Sequence, residues 1–228
     1  MGKRTRITKK GLKHDALLET TAKGTKFVED HLNKVIMGVA AVLVVGVVVL
    51  MVVRGQKATE LEASADLMTA SQSASSGLLA QASQEYRAVI DAYPGTRSAG
   101  AATCYLGTIL YQQQQYDPAL ANFQGYLDSY GKKGTLGKVA LEGKASVLEQ
   151  RREFTAAAAI YKELAAQSPD LESTVARYLA DALRCYRSAN DWQAVSETAA
   201  EIADNHPDTP WAGDARTNLA EASVHLNS

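Results

Sequence analysis

The feature that most constrains this chain is an uninterrupted apolar run, Val35–Val53, reading VIMGVAAVLVVGVVVLMVV without one charged or strongly polar side chain. A helix of these 19 residues rises about 28 Å, the thickness of a bilayer's hydrocarbon core. The core helix of a soluble protein carries one apolar stripe, whereas this run is apolar on every face. Its many valines disfavour helix in water, but lipid offers the backbone no other hydrogen-bond partner and enforces one. Lys34 and Arg54 bracket the run and set its topology, one charge at each headgroup region. The run exceeds the apolar region of a cleaved signal peptide, and Arg54-Gly55-Gln56-Lys57 follows it in place of a small-residue cleavage site. The reading is an uncleaved signal anchor. Arg6 stands where acylation of Gly2 calls for Ser or Thr, which argues against a lipid anchor.

The net charge of −1 conceals an uneven distribution. Residues 1–34 hold nine Lys/Arg against four acids, a net +5, while the remainder holds 15 against 21, a net −6. The positive-inside rule then predicts a cytoplasmic N-terminus and a C-terminal domain on the far side, in the periplasm if the membrane is a bacterial inner membrane. Within the basic tail, Leu17, Val28 and Leu32 sit at helical spacing from about Lys13 to Asn33, which predicts an amphipathic helix on the inner leaflet drawn to anionic lipid. The topogenic role accounts for the basic charge without nucleic acid.

The domain beyond the run repeats itself. Tyr116, Phe154 and Trp192 recur at a step of 38 residues, each opening a similar segment, and Pro169 and Pro207 keep the same step. Ala82, Tyr86, Val89 and Pro94 form an earlier copy slightly out of phase. A period of this size is the mark of a solenoid. Each unit reads as two helices. The first carries small and apolar residues such as Ala102, Leu106 and Ile109; the second carries Tyr116, Ala119 and Phe123 on one face. Pro94, Pro169 and Pro207 stop the second helices, and Asp170, Asp208 and Thr209 are suited to cap the next. No alternating strand pattern is present. The aromatics are expected in the core. So are Cys104 and Cys185, which lie in different repeats and form no disulfide framework.

These residues carry a resemblance. Leu106-Gly107, Ala119 and Phe123 fall where the tetratricopeptide repeat has its Leu-Gly, Ala and Phe; Ala157, Tyr161 and Pro169 follow in the next unit, and Leu183, Tyr186 and Pro207 in the third. The family's Trp is missing, Val195 and Ala199 depart from the pattern, and the period is about four residues longer than the family's. The chain thus resembles a degenerate tetratricopeptide protein over roughly residues 78–226. The resemblance implies an all-α solenoid of helical hairpins behind a single transmembrane helix, with Leu106, Gly107, Tyr116, Ala119, Phe123, Phe154, Ala157, Tyr161, Tyr186 and Trp192 in the repeat core. It also implies a groove that binds protein partners. The family's Lys/Asn clamp for a terminal carboxylate is missing, since Cys104 and Thr108 occupy its slots.

The expected layout is a basic tail (1–34), the membrane helix (35–53), a helical connector rich in Ala, Ser and Glu (54–77) that holds the repeats near the membrane, and the repeat domain (78–228). That layout resembles the YfgM-like proteins of bacterial inner membranes, which implies an ancillary, chaperone-linked subunit of the protein-secretion translocon. The alternative is a fixed accessory subunit of a large respiratory or photosynthetic membrane complex. Either way the partners are proteins, membrane-embedded ones above all, together with the lipid bilayer. No catalytic constellation emerges. His14, His31, His206 and His225 have no zinc spacing, there is no Cys-x-x-Cys, and neither a phosphate loop nor a nucleophile elbow occurs. The sequence therefore predicts no enzyme, no metal, no cofactor and no small-molecule substrate. Gly38, Ala40, Ala41 and Gly46 form no G-x-x-x-G, so self-association through the span is not expected.

Overall fold

A computed structural model describes residues 32–169 and 171–227. Leu17 and Val28 of the basic tail, on which the amphipathic helix rests, and Asp170, read as a cap, lie outside the described residues. All regular structure among the described residues is helical, as the sequence predicts. The helices are α1 (Leu32–Ser75), α2 (Leu79–Ala92), α3 (Arg97–Gln112), α4 (Tyr116–Tyr130), α5 (Gly134–Gln150), α6 (Phe154–Ala166), α7 (Glu172–Ser188), α8 (Trp192–Asn205) and α9 (Ala212–Leu226). The chain divides into two compact units, one ending at Lys57 and the other beginning at Ala58. In the first, α1 holds a stretch long and apolar enough to cross a membrane. Its large side chains from Ile36 to Val53 are exposed.

The second unit is a stack of hairpins. Its repetition is clearest in the backbone. Gly77, Gln114, Arg152 and Asn190 each adopt a left-handed conformation, with φ of 79°, 59°, 63° and 58°. Each marks the same turn. Leu78 N–H bonds to the carbonyl of Ser73, Gln115 to Leu110, Glu153 to Leu148 and Asp191 to Tyr186, with the preceding residue bonding three back in every case. This 6→1 closure is the Schellman ending of a helix. It satisfies the orphaned carbonyls and reverses the chain into the second helix of the hairpin. Three of the four left-handed positions lack the glycine such a turn prefers, so composition conceals a turn that the spacing repeats.

The turn at Gly77 makes residues 58–75 of α1 the first helix of a hairpin with α2. Glu60, Ala63, Leu67, Ala70 and Ala74 follow a 3-4-3-4 spacing, which lines one helix face. Ala63 and Ala70 are fully buried, and Leu67 and Ala74 pack on the core. Glu60 accepts hydrogen bonds from the backbone N–H of Arg97 (2.8 Å) and Ser98 (3.1 Å) at the start of α3, and from the Ser98 hydroxyl (2.7 Å). These bonds hold its carboxyl below the usual range against the opposing pull of desolvation. Tyr93 Oη donates to Asp66 (2.7 Å) and Tyr86 Oη to Ser71 (3.3 Å), tying α2 to the same helix.

The prolines end the second helices: α2 stops before Pro94, α6 before Pro169 and α8 before Pro207. The expected caps differ. Thr96 accepts from Ala99 N–H to cap α3 and Asp191 from Ala194 N–H to cap α8, whereas α9 begins at Ala212, beyond Asp208 and Thr209. Thr209 instead turns its hydroxyl back to the carbonyl of His206, inside the loop. One core runs through the stack. At its centre Phe123, 1% exposed, lies between two helix backbones. A Cβ on Gly107 of α3 would stand 2.9 Å from its ring, and one on Gly143 of α5 would stand 2.3 Å away. Phe123 of α4 can therefore enter only because both neighbours lack a side chain.

Candidate partner-binding surface

The first helices of successive hairpins lie side by side. Two long-range salt bridges bind α5 to α7: Arg177 Nη2 to Glu142 at 2.8 Å, and Arg184 to Glu149, whose second contact measures 3.1 Å. Arg187 continues the row to Glu221 of α9 at 2.9 Å. Asp181 sits within α7 between Arg177 (3.5 Å) and Arg184 (3.2 Å). The result is a ladder of alternating charge along one face, with partners 34 or 35 positions apart. Desolvation raises the Asp181 carboxyl above the ordinary value, outweighing the two arginines that lower it. The hydrogen bond to Glu149 holds the Arg184 proton more tightly than in water. Tyr161 of α6 donates to that same Glu149 (2.7 Å) and is raised chiefly by burial. Half-exposed pairs of this kind each stabilise by about 0–1 kcal/mol; their main effect is to fix side chains in place and pattern the face.

Towards α3 the character changes from ionic to aromatic. Tyr105, 38% exposed, lies 5.8 Å from Tyr86 between ring centroids, and Tyr111 lies 5.7 Å from Tyr116. Gln150 of α5 reaches the Tyr111 hydroxyl at 3.5 Å. Thr108 turns its hydroxyl to its own helix at the Cys104 carbonyl, and Cys104 is buried, so neither offers a donor to a carboxylate.

The residues singled out in the sequence take two kinds of place. Leu106, Gly107, Ala119, Phe123, Ala157 and Tyr161 are buried between helices. Tyr116, Phe154, Tyr186 and Trp192 are half-buried at the edge of the core. The Trp192 ring stacks on the His225 imidazole of α9, with centroids 3.8 Å apart and planes at 7°. Lys34 and Arg54 both lie on α1. The charge ladder was missed by sequence reasoning, although a signal exists: Glu142 and Glu149 each have an arginine 35 residues ahead. That offset is close to the 38-residue repeat, and so places the pair on adjacent first helices.

Cys104 and Cys185 are fully buried and free, and burial pushes both thiols up to about 12. A thiol must ionise to react. The native chain should therefore resist alkylation at pH 8, and unfolding in guanidinium should release both thiols to the reagent. The linkage has a definite sign. Folded values lie above unfolded ones, so this stabilisation is complete below about pH 8.5 and is lost as pH climbs towards the folded value. A pH series of denaturant midpoints checks this. Among the described residues no group of three or more His, Cys, Asp or Glu could hold a metal ion.

No family model and no curated protein matches the chain. Solved structures do match. A tetratricopeptide repeat protein from Parabacteroides merdae aligns with a TM-score of 0.59 at 18% identity, over 72% of this chain and 61% of its own. The fold is tetratricopeptide-like. BtubC from P. vanneervenii aligns with a TM-score of 0.56 at 11% identity, over 71% of this chain and 66% of its own. Nearly identical TPR-like repeats of a kinesin-light-chain type protein from Podospora anserina align with a TM-score of 0.56 at 13% identity, over 72% of this chain and 86% of theirs. This chain thus spans under two thirds of the length of the first two structures. At these identities the likeness establishes the architecture.

Proposed function

We propose that this chain is a membrane-anchored protein-binding subunit, held by α1 and engaging partner proteins on the face formed by α3, α5, α7 and α9. One observation carries the reading. A tetratricopeptide-like stack satisfies its apolar surface between neighbouring hairpins, which leaves the row of first helices as a patterned open surface. Arginine and tyrosine, which recur on it, are among the residues enriched where proteins bind one another. The apolar stretch of α1 supports anchoring in a membrane. The basic excess before it supports a cytoplasmic N-terminus and a periplasmic repeat unit. The finer reading is an adaptor associated with the secretion translocon of a bacterial inner membrane, and it rests on the overall layout.

The test is purification from native membranes in mild detergent, followed by cross-linking and mass spectrometry. Cross-links from Lys138 of α5, one helical turn before Glu142, to translocon subunits and to a spread of secreted proteins are the expected result. A single set of integral-membrane subunits in fixed ratio would overturn the adaptor reading and make the chain an accessory subunit of that complex. Recovery of the chain alone would overturn partner binding itself.

A further inference from the structure

The second unit is acidic: residues 58–228 hold 13 Lys/Arg against 21 Asp/Glu, a net −8. Across the start of α5, however, runs a trough of the opposite character. One end is an open hollow of about 590 Å³ bounded by Arg97, Tyr126, Tyr130, Lys133 and Leu136. It continues over Gly134 and Thr135 into a second hollow of about 370 Å³ bounded by Lys138, Val139, Glu142 and Tyr178. The carboxylates nearby are already engaged. Glu142 is paired with Arg177 at 2.8 Å, and Glu60 is bonded to the backbone of α3 and to Ser98. Arg97 lies close enough to Glu60 to help keep that carboxyl ionised, but the two lysines are not matched in this way. Lys133 is exposed and has no ion-pair partner among the described residues. Lys138 donates to a neutral hydroxyl, Ser168 Oγ, at 2.7 Å. Lys132, one residue before Lys133, differs in holding Glu163 at 3.0 Å.

The aromatic floor is rigid. Tyr126 and Tyr130 stack at 5.3 Å and 19°, and the Tyr130 ring lies where a Cβ on Gly100 would come within 2.9 Å. Rigid tyrosines present contact area at small entropic cost, and the two unmatched lysines beside them select negative charge. Resting on the partner-binding reading above, we propose that this trough holds an acidic peptide segment of the partner, its carboxylates at Arg97, Lys133 and Lys138 and its apolar side chains on Tyr126, Tyr130 and Val139. The trough runs over the start of α5 between α3, α4 and α7, and meets the charge ladder at Glu142.

The experiment uses the full chain in detergent micelles, panned against a random twelve-residue peptide display library, with a fluorescent copy of the most enriched peptide as the probe. Enriched peptides should combine Asp or Glu with aromatic or aliphatic residues, and added salt should weaken the probe. The Lys133→Glu, Lys138→Gln double variant should bind it about tenfold more weakly, the equivalent of one lost charge-assisted contact or more. Arg97→Gln, which leaves the backbone bonds to Glu60 in place, should weaken it independently. Enrichment without acidic excess, or affinity unchanged in these variants, overturns the proposal. Neutral or basic peptides that bind regardless of them would sink the trough alone and leave the inner-face reading standing. Absence of any enrichment over detergent micelles overturns both.

Discussion

Phe123→Ala is expected to destabilise the repeat unit by about 3–5 kcal/mol, the range for deleting a fully buried aromatic ring. Phe123 is among the largest side chains buried to under 2% exposure, and its ring closes the space between α3, α4 and α5. The instructive comparison is Gly143→Ala. A methyl there would stand 2.3 Å from the ring carbon Cζ, and the added atom should cost about 1–3 kcal/mol through overpacking. Combined, the two changes should offset each other, because the new methyl enters the space the ring has vacated. The double variant should be more stable than the sum of the singles by about 0.5–3 kcal/mol, the range of coupling between residues in contact. Urea midpoints of the four proteins measure this. Strict additivity would mean that Phe123 does not rest on Gly143.

This contact also separates what could be read in the sequence from what could not. Phe123 and Gly107 stand at repeat positions, so their meeting follows from the spacing. Gly143 lies 20 positions beyond Phe123 on the next hairpin, in a segment whose own pattern gives a glycine no special place. Its role comes from how closely α4 approaches α5, a tertiary distance that no local period encodes. The long apolar helix and the all-helical repeat were legible because each has a period or length that physics ties to one structure. The interhelical charge ladder was latent, and needed both the repeat and the i, i+35 offset before Glu142 and Arg177 could be paired. The trough was not legible at all. Arg97, Tyr126, Lys133 and Tyr178 come from four separate places in the chain, and only the packing of α3, α4, α5 and α7 gathers them.

A truncated chain starting at Leu79 is expected to be several kcal/mol less stable than one starting at Ala58, although both keep every residue from α2 to α9. Read by composition, residues 54–77 are a polar connector in which Ala, Ser and Glu dominate. Packing gives them another role. Removing residues 58–75 would uncover Tyr86 and Val89 on the inner face of α2, now 3% and 1% exposed. Exposing side chains of that size forfeits about 1.5–3 kcal/mol each. It would also take Glu60 from the first backbone N–H groups of α3 and Asp66 from Tyr93. A solenoid is stabilised by its nearest-neighbour interfaces, so loss of a terminal helix frays the repeat beside it first. Thermal melts of the two truncated chains should show a lower midpoint for the shorter one, and hydrogen exchange should show α2 and the first turns of α3 opening early. Coincident melts would mean that residues 58–75 are a tether, and that the Schellman turn at Gly77 has no bearing on stability. The predicted difference instead makes the helix that leaves the apolar run the first helix of the repeat array, so that the array starts at Ala58.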